Sequence, residues 1–241
     1  MVPQWLQRSE LLIGEENIEK LSQANVIIVG LGGVGSYAAE FIARAGVGNM
    51  TIVDGDVVDI TNTNRQLPAL ASSVGKSKAE CMQQRLLDIN PSLKLTVISD
   101  FLDPEMAGIT IKEGNFDYVM DCIDSVSPKQ YLIKSCVEND LKIISSMGAG
   151  GRLDPQKVRL SRLDKTYNCP FAHQIRKGLR KKQINLKKVM TVFSHELVKK
   201  ENMTLTDGTH YKKSYYGTIS YIPALFGLNM ASYVIRDIIG R

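Results

Sequence analysis

Val26-Ile27-Ile28-Val29-Gly30-Leu31-Gly32-Gly33-Val34-Gly35 decides the fold. Four apolar residues in a row read as a strand buried on both faces, because a half-exposed strand would alternate with polar residues. Glycines follow it directly. At this spacing Gly30 permits a tight turn, Gly32 lets the backbone approach a phosphate, and Gly35 lets the next helix pack closely on the strand. Ser36 to Ala45 reads as that helix, with Tyr37, Phe41 and Ala45 on one stripe. The unpaired N–H groups at its start would face an anion.

The same rhythm extends in both directions. Ile18 to Ala24 reads as the end of an amphipathic helix, and Gly46-Val47-Gly48 separates the first unit from a strand at Met50 to Asp54. A helix over Lys76 to Ile89, stopped by Asn90-Pro91, leads to a strand at Leu93 to Ile98. Further helices near Asp103 to Ile111 and Pro128 to Glu138 alternate with strands at Tyr118 to Met120 and Lys142 to Ser145. This alternation predicts an α/β fold, a Rossmann-like, mostly parallel sheet with helices on both faces. After Gly148-Ala149-Gly150-Gly151 the rhythm changes. Short strands at Val158 to Leu163 and Val189 to Phe193, a basic helix from Phe171 to Lys182 and an apolar helix from Ala224 to Ile239 form an elaborated C-terminal third. The chain reads as a single domain over 1–241, with a nucleotide-binding core at 1–151 and the elaboration at 152–241.

Composition narrows the class. With 241 residues, 44% hydrophobic and 23% charged, the chain can bury a sizeable core and is not a disordered or collagen-like polymer. The net charge of +5 is unevenly distributed: residues 1–151 sum to −7, residues 152–213 to +11 and residues 214–241 to +1. Such asymmetry points to a polyanionic partner. No run of 18 apolar residues spans a membrane, and Met1 to Leu12 lacks the pattern of a secretory signal, so the reading is cytoplasmic and reduced. Cys81, Cys122, Cys136 and Cys169 form no C-x-x-C pair, and His173, His195 and His210 lack ligand spacing. A disulfide framework and a zinc site are both disfavoured.

Three polar segments follow the glycine loop in chain order. Asp54 ends the second strand, 19 residues after Gly35, where a carboxylate can take both hydroxyls of a ribose. The fingerprint alone leaves NAD and ATP open. Asp56 and Asp59 follow on the same turn, as ligands or as solvated carboxylates. Thr61-Asn62-Thr63-Asn64-Arg65-Gln66 then offers amides and a guanidinium suited to phosphate. Lys78, near a helix start, can join Arg65 on a polyphosphate. Asp124, in Asp121-Cys122-Ile123-Asp124 at a strand's C-terminal end, can hold Mg²⁺ between phosphates. Each piece also has a plain reading: a capped turn, a solvated lysine, a helix N-cap.

Together, Gly30-Leu31-Gly32-Gly33-Val34-Gly35, Asn62-x-Asn64-Arg65-Gln66, Val74-Gly75-x-x-Lys78 and Asp121-Cys122-Ile123-Asp124 resemble the ubiquitin-activating-enzyme-like superfamily, whose members adenylate carboxylates. The resemblance implies an ATP site over the glycines 30, 32, 33 and 35. It places Asp54 on the ribose, Asn62, Asn64 and Gln66 around the nucleotide, Arg65 and Lys78 on the phosphates, and Asp124 on Mg²⁺. Gly148-Ala149-Gly150-Gly151-x-x-Asp154-Pro155, Asp164-Lys165-Thr166, Cys169-Pro170-Phe171-Ala172 and Gly217-Thr218-Ile219-Ser220-Tyr221-Ile222-Pro223 look like one branch, the tRNA threonylcarbamoyladenosine dehydratases. That branch implies ATP-dependent adenylation and cyclising dehydration of a threonylcarbamoyl adenosine in tRNA, a homodimer, and room for sulfur-transfer pathway proteins among its partners. The alternative within the superfamily is adenylation of the C-terminus of a ubiquitin-like sulfur carrier. Arg8 matches a position from which an arginine can reach the partner subunit's ATP; a plain surface arginine is the other reading.

Arg176, Lys177, Arg180, Lys181, Lys182, Lys187 and Lys188 place seven cations in 13 residues, with few acids among them. Arg176 with Arg180 and Lys177 with Lys181 are i,i+4 pairs, so rows of charge line a helix. The expectation is contact with tRNA through Arg176, Lys177, Arg180, Lys181 and Lys182. Tyr211, Tyr215 and Tyr216, beside Lys212 and Lys213, either stack on an unpaired base or pack on the domain.

Overall fold

The structure, a computed structural model, describes residues 2–205 and 214–241; His210, Tyr211, Lys212 and Lys213 therefore lie outside the described residues. Two helices, α1 (Gln7–Ile13) and α2 (Glu15–Gln23), precede strand β1 (Asn25–Val29). Then come α3 (Gly35–Arg44), β2 (Asn49–Val53), α4 (Lys78–Ile89), β3 (Lys94–Ile98), α5 (Pro104–Glu113), β4 (Tyr118–Asp121), α6 (Val126–Glu138) and β5 (Ile143–Ser146). The remainder contributes β6 (Val158–Arg162), α7 (Pro170–Lys181), β7 (Val189–Ser194), the short pair β8 (Met203–Leu205) and β9 (Ser214–Tyr216), and α8 (Tyr221–Ile238). Among the described residues, no helix is long and apolar enough to cross a membrane.

The main sheet runs β3-β2-β1-β4-β5-β7-β6. Every neighbouring pair is parallel except β6 with β7, which is antiparallel. The α/β, mostly parallel reading therefore holds, and β6 supplies the one reversed strand, at the edge. Residues of one strand alternate between two cores, as a doubly covered sheet requires. Val26 and Ile28 enter the core under α3, α4 and α8, whereas Ile27 and Val29 enter the core under α5, α6 and α7.

Local chemistry sets the helix boundaries. α4 starts at Lys78 because Ser77 caps it, its hydroxyl accepting the Glu80 N–H at 3.3 Å. Asp103 caps α5 by accepting the Glu105 and Met106 N–H groups, and Pro104 takes the first position, where no donor is lost. α8 begins at Tyr221, three residues before the expected start, because Pro223 still lies in its first turn and breaks no hydrogen bond there.

Strand order places the functional site. The chain leaves β1 for α3 on one face and leaves the adjacent β4 for α6 on the other. The two connections diverge and open a crevice beyond the carboxyl ends of the strands, where sheets of this kind bind ligands. The first core depends on α8 lying against α3, with Phe226 fully buried between them and the sheet. Phe226→Ala is expected to destabilise the fold by about 3–5 kcal/mol, measurable by urea unfolding.

Candidate nucleotide site

Gly30 takes φ = +91°, and a side chain there would stand 3.0 Å from the Cys122 carbonyl oxygen. Gly35 is tighter still, since its Cβ would lie 1.7 Å from the Gly30 carbonyl oxygen. These two glycines seat α3 against β1 and the turn after β4. Gly33 lies beneath Pro223 and the Arg65 backbone, both just over 3 Å from where its Cβ would be. Gly32 differs: a Cβ there would meet only the Gln66 amide, at 3.6 Å or beyond. The protein's own packing does not require glycine at 32. Gly32 leads into the N-terminus of α3, which no side chain among the described residues caps and whose unpaired N–H groups suit an anion.

Asp54 flanks this opening. One carboxylate oxygen accepts the Leu31 N–H at 2.6 Å and the other the Asp56 N–H at 2.8 Å, so the group is fixed in orientation. Burial raises its carboxyl above the ordinary value, against the opposing pull of Lys78 and of those two N–H groups. Lys78, only 6% exposed, pairs with Asp56 at 2.8 Å. Its helix start is held there by the Lys78 N–H to the Asp56 carbonyl and by the Val58 N–H to the Lys76 carbonyl. Asp56 is exposed and also serves as the lysine's partner, and Asp59 caps the following turn by accepting from Thr61.

The polar run is braced mostly by itself. The Asn62 side chain accepts the Asp59 N–H, closing a capping box. The Asn64 amide donates to the Thr218 carbonyl at 2.9 Å and accepts from Arg65 at 2.9 Å. Arg65 also donates to the Thr61 carbonyl. It is half-buried, so desolvation lowers its guanidinium pKa while the Asp124 carboxylate opposes the shift. Gln66 is buried beside Gly32, and its side-chain oxygen has no hydrogen-bond partner among the described residues. Asn62 and Asn64 thus act on the loop and on Arg65, whereas Gln66 keeps an unused acceptor next to the opening. Asp124 is exposed after β4, near Arg65.

Two groups escaped the sequence reading. Asp121, at the end of β4, and Lys129, on α6, form an ion pair at 2.7 Å with both side chains fully buried. Ser145 of β5 donates to the same Asp121 oxygen at 2.6 Å. Arg152, also buried, donates to the carbonyls of Gly148 and Glu196 and so ties the turn after β5 to the end of β7. Asp121 was visible in its motif, but nothing local marks Lys129 or Arg152 as buried.

The remaining sequence candidates are dispersed. Arg8 is exposed on α1, and Leu6, just before that helix, packs on Gly46 at the far end of α3. That contact is about 15 Å from the α3 N-terminus, so the chain does not bring its own Arg8 to the phosphate end. Lys177, Arg180 and Lys181 are exposed on α7, and Lys182 is exposed one residue past its end, with its ammonium 4.5 Å from the centre of the Tyr131 ring. Arg176 instead braces the chain by donating to the Thr166 carbonyl and hydroxyl, and burial lowers its guanidinium pKa. Lys188 pairs with Asp140. Tyr216 packs on the Gly150 turn. Burial pushes the Cys122 and Cys136 thiols up, which keeps them protonated, and Cys169 is buried as well. The described residues contain no group of three or more His, Cys, Asp or Glu able to hold a metal. One or two carboxylates plus substrate phosphates are what Mg²⁺ typically uses, and Asp124 is an exposed carboxylate near Arg65.

Two tests follow from this geometry. Gly32→Ala is expected to melt like the parent yet bind ATP about tenfold more weakly, a penalty of ~1.4 kcal/mol. Gly35→Ala is expected to destabilise the fold by about 3 kcal/mol or more, because backbone must move; calorimetric titration and thermal melting separate the two. The second test concerns Asp54, whose folded pKa lies above 3.8. Its contribution to stability is present below 3.8 and is lost as pH rises through the raised value. Asp54→Asn is therefore expected to raise the melting temperature at neutral pH, to weaken ATP binding, and to remove the acid-side loss of affinity.

A ThiF family model matches residues 6–241 of the chain. The tRNA threonylcarbamoyladenosine dehydratase of Bacillus subtilis (strain 168) is 38% identical over 239 residues, spanning 96% of this chain and 93% of that protein. The crystal structure of E. coli tRNA N6-threonylcarbamoyladenosine dehydratase, TcdA, in complex with ATP superposes with a TM-score of 0.88 at 34% identity, covering 98% of this chain and 94% of that one. The same enzyme in complex with AMP superposes with a TM-score of 0.87 at 35% identity, covering 99% and 96%. The chain belongs to the ThiF family.

Proposed function

We propose that this protein is an ATP-dependent tRNA threonylcarbamoyladenosine dehydratase. The observation that carries the reading is the space at Gly32, where a Cβ would meet only Gln66 among the described residues, with Arg65 packed on the neighbouring Gly33 and Lys78 beside Asp54. In this reading Asp54 takes the ribose, the α3 N-terminus and the 32–35 backbone take phosphate, and Lys78 exchanges Asp56 for the polyphosphate. Asp124 would hold Mg²⁺, which when bound supplies further neutralisation of phosphate charge. The substrate carboxylate attacks the α-phosphorus, pyrophosphate leaves, and an internal nucleophile of the modification displaces AMP from the acyl adenylate. The two cations need little reorganisation as charge develops, because the fold already holds them desolvated. The second step is intramolecular, which gives an effective molarity of about 10⁵–10⁸ M and removes the need for an enzyme nucleophile. The Cys122 and Cys136 thiols, which desolvation pushes up, fit that expectation.

tRNA is contacted by Lys177, Arg180, Lys181 and Lys182, with Arg176 ordering the segment from which α7 springs. α7 starts beside Gly148 at the carboxyl end of the sheet, so these cations lie about 10–18 Å further along the helix. They grip the RNA body while the modified nucleoside reaches the crevice. The working unit is a homodimer in the cytoplasm, with Arg8 of one subunit approaching the ATP of the other.

The deciding experiment is nucleoside mass spectrometry of threonylcarbamoyladenosine-containing tRNA incubated with protein, ATP and Mg²⁺. Loss of one water from the modified nucleoside is expected, and Arg65→Ala is expected to abolish it. An unchanged nucleoside, together with ATP–pyrophosphate exchange that requires a small Gly-Gly-ended protein, would transfer the assignment to sulfur-carrier activation. The triple variant Lys177→Ala, Arg180→Ala, Lys181→Ala should weaken tRNA binding. It should also flatten the slope of log K against log salt by about 0.7–0.9 for each phosphate no longer neutralised.

A further inference from the structure

The Asp121–Lys129 pair is an ion pair at 2.7 Å with both side chains fully buried. Such a pair contributes little net stability, because desolvating both charges offsets their attraction, and an apolar pair of the same volume often does as well. Its bonds serve a geometric purpose. The second Asp121 oxygen accepts the Ile123 N–H at 3.1 Å, bracing the turn Cys122-Ile123-Asp124 from beneath. Glycines 30 and 35 rest on Cys122 in that turn, and Asp124 ends it beside Arg65. Lys129 fixes Asp121 from the other side. Its ammonium is 2.7 Å from Asp121 and donates to the Ser145 hydroxyl at 3.2 Å, and that hydroxyl donates back to Asp121. The same ammonium lies 5.8 Å from the centre of the Phe171 ring, which packs on Gly148. One buried cation therefore joins the ends of β4 and β5 to the starts of α6 and α7.

We propose that Lys129 is a positioning residue for Mg²⁺ binding: through Asp121 and the Ile123 N–H it holds the turn that presents Asp124. The inference rests on the assignment of Asp124 to Mg²⁺. It predicts that disturbing the network impairs the metal-dependent part of nucleotide binding and spares the metal-independent part. Substitution of groups that orient a metal ligand lowers metal affinity by about 10- to 100-fold.

The test is the Mg²⁺ gain, the ratio of the ATP dissociation constant in EDTA to that in saturating Mg²⁺, measured by calorimetry. Mn²⁺ binding to the ATP-loaded protein, followed by electron paramagnetic resonance, gives a second readout. Lys129→Met is expected to cut the gain about tenfold while the dissociation constant in EDTA stays within about twofold of the parent. Ser145→Ala keeps the ion pair, so it will fold even if Lys129→Met does not, and a loss of about threefold is expected from it. Val234→Ala, in the core under α8, controls for general destabilisation and is expected to keep the gain. Folded Lys129→Met or Ser145→Ala with the parent's gain, or an equal loss in Val234→Ala, would overturn the proposal. Asp124→Ala separates the two layers. Retention of the gain there withdraws the metal assignment and this inference together. Loss there, with retention in Lys129→Met, overturns the inference alone.

Discussion

The carbonyl oxygen of Gly30 occupies the space that a side chain at residue 35 would need, and the rest of the molecule is arranged around that approach. Because both positions lack a Cβ, α3 begins almost on top of β1 and against the turn that follows β4. Its N-terminus then points into the crevice where the connections from β1 and β4 diverge. The packing of α8 depends on the same placement, since α8 reaches α3 closely enough that a Cβ at Gly227 would lie 2.5 Å from the Val34 carbonyl oxygen. Moving α3 outward to fit a side chain would disturb the helix packing, the anion-facing terminus and the Asp124 turn together.

The electrostatics of the site follow from keeping strong charges partly out of water before a ligand arrives. Lys78 is held by one acidic partner, Asp56, and Arg65 by a carbonyl and an amide. Asp54 is desolvated although its two oxygens are hydrogen-bonded, so its charged form is disfavoured in the folded protein. These arrangements, in the proposed function, cost stability and contribute ligand affinity, as is common for groups aimed at a reacting centre. In the proposed function, the acidic N-terminal portion and the basic segment after Gly151 serve separate polyanions. One is a nucleotide bound largely through backbone and two cations; the other is an RNA met by a helix that carries its charge away from the crevice.

Much of this was legible in order along the chain. The Val26–Val29 run, the glycine spacing and the distance to Asp54 are local signals, and each maps directly onto β1, the turn and the end of β2. α1 was not legible: its Leu11 and Leu12 are exposed and it buries no residue, so no apolar stripe announces it. The direction of β6 was equally hidden, since periodicity identifies a strand without orienting it. Lys129 reads as an ordinary lysine on a helix and becomes a buried cation only because β4 and β5 bring Asp121 and Ser145 to it. Arg176 reads as part of a charged row, yet its guanidinium is drawn to Thr166, ten residues earlier. Tertiary packing decided these cases, and no window of sequence contains it.

The most direct measurement of the account follows an oxygen atom. tRNA bearing a threonylcarbamoyl group labelled with ¹⁸O in its carboxylate is converted with unlabelled ATP, and the nucleotide products are weighed by mass spectrometry. Attack of the carboxylate on the α-phosphorus, followed by ring closure, predicts AMP carrying one ¹⁸O for each nucleoside dehydrated. Release of ADP with the label in inorganic phosphate, or AMP without label, would contradict it.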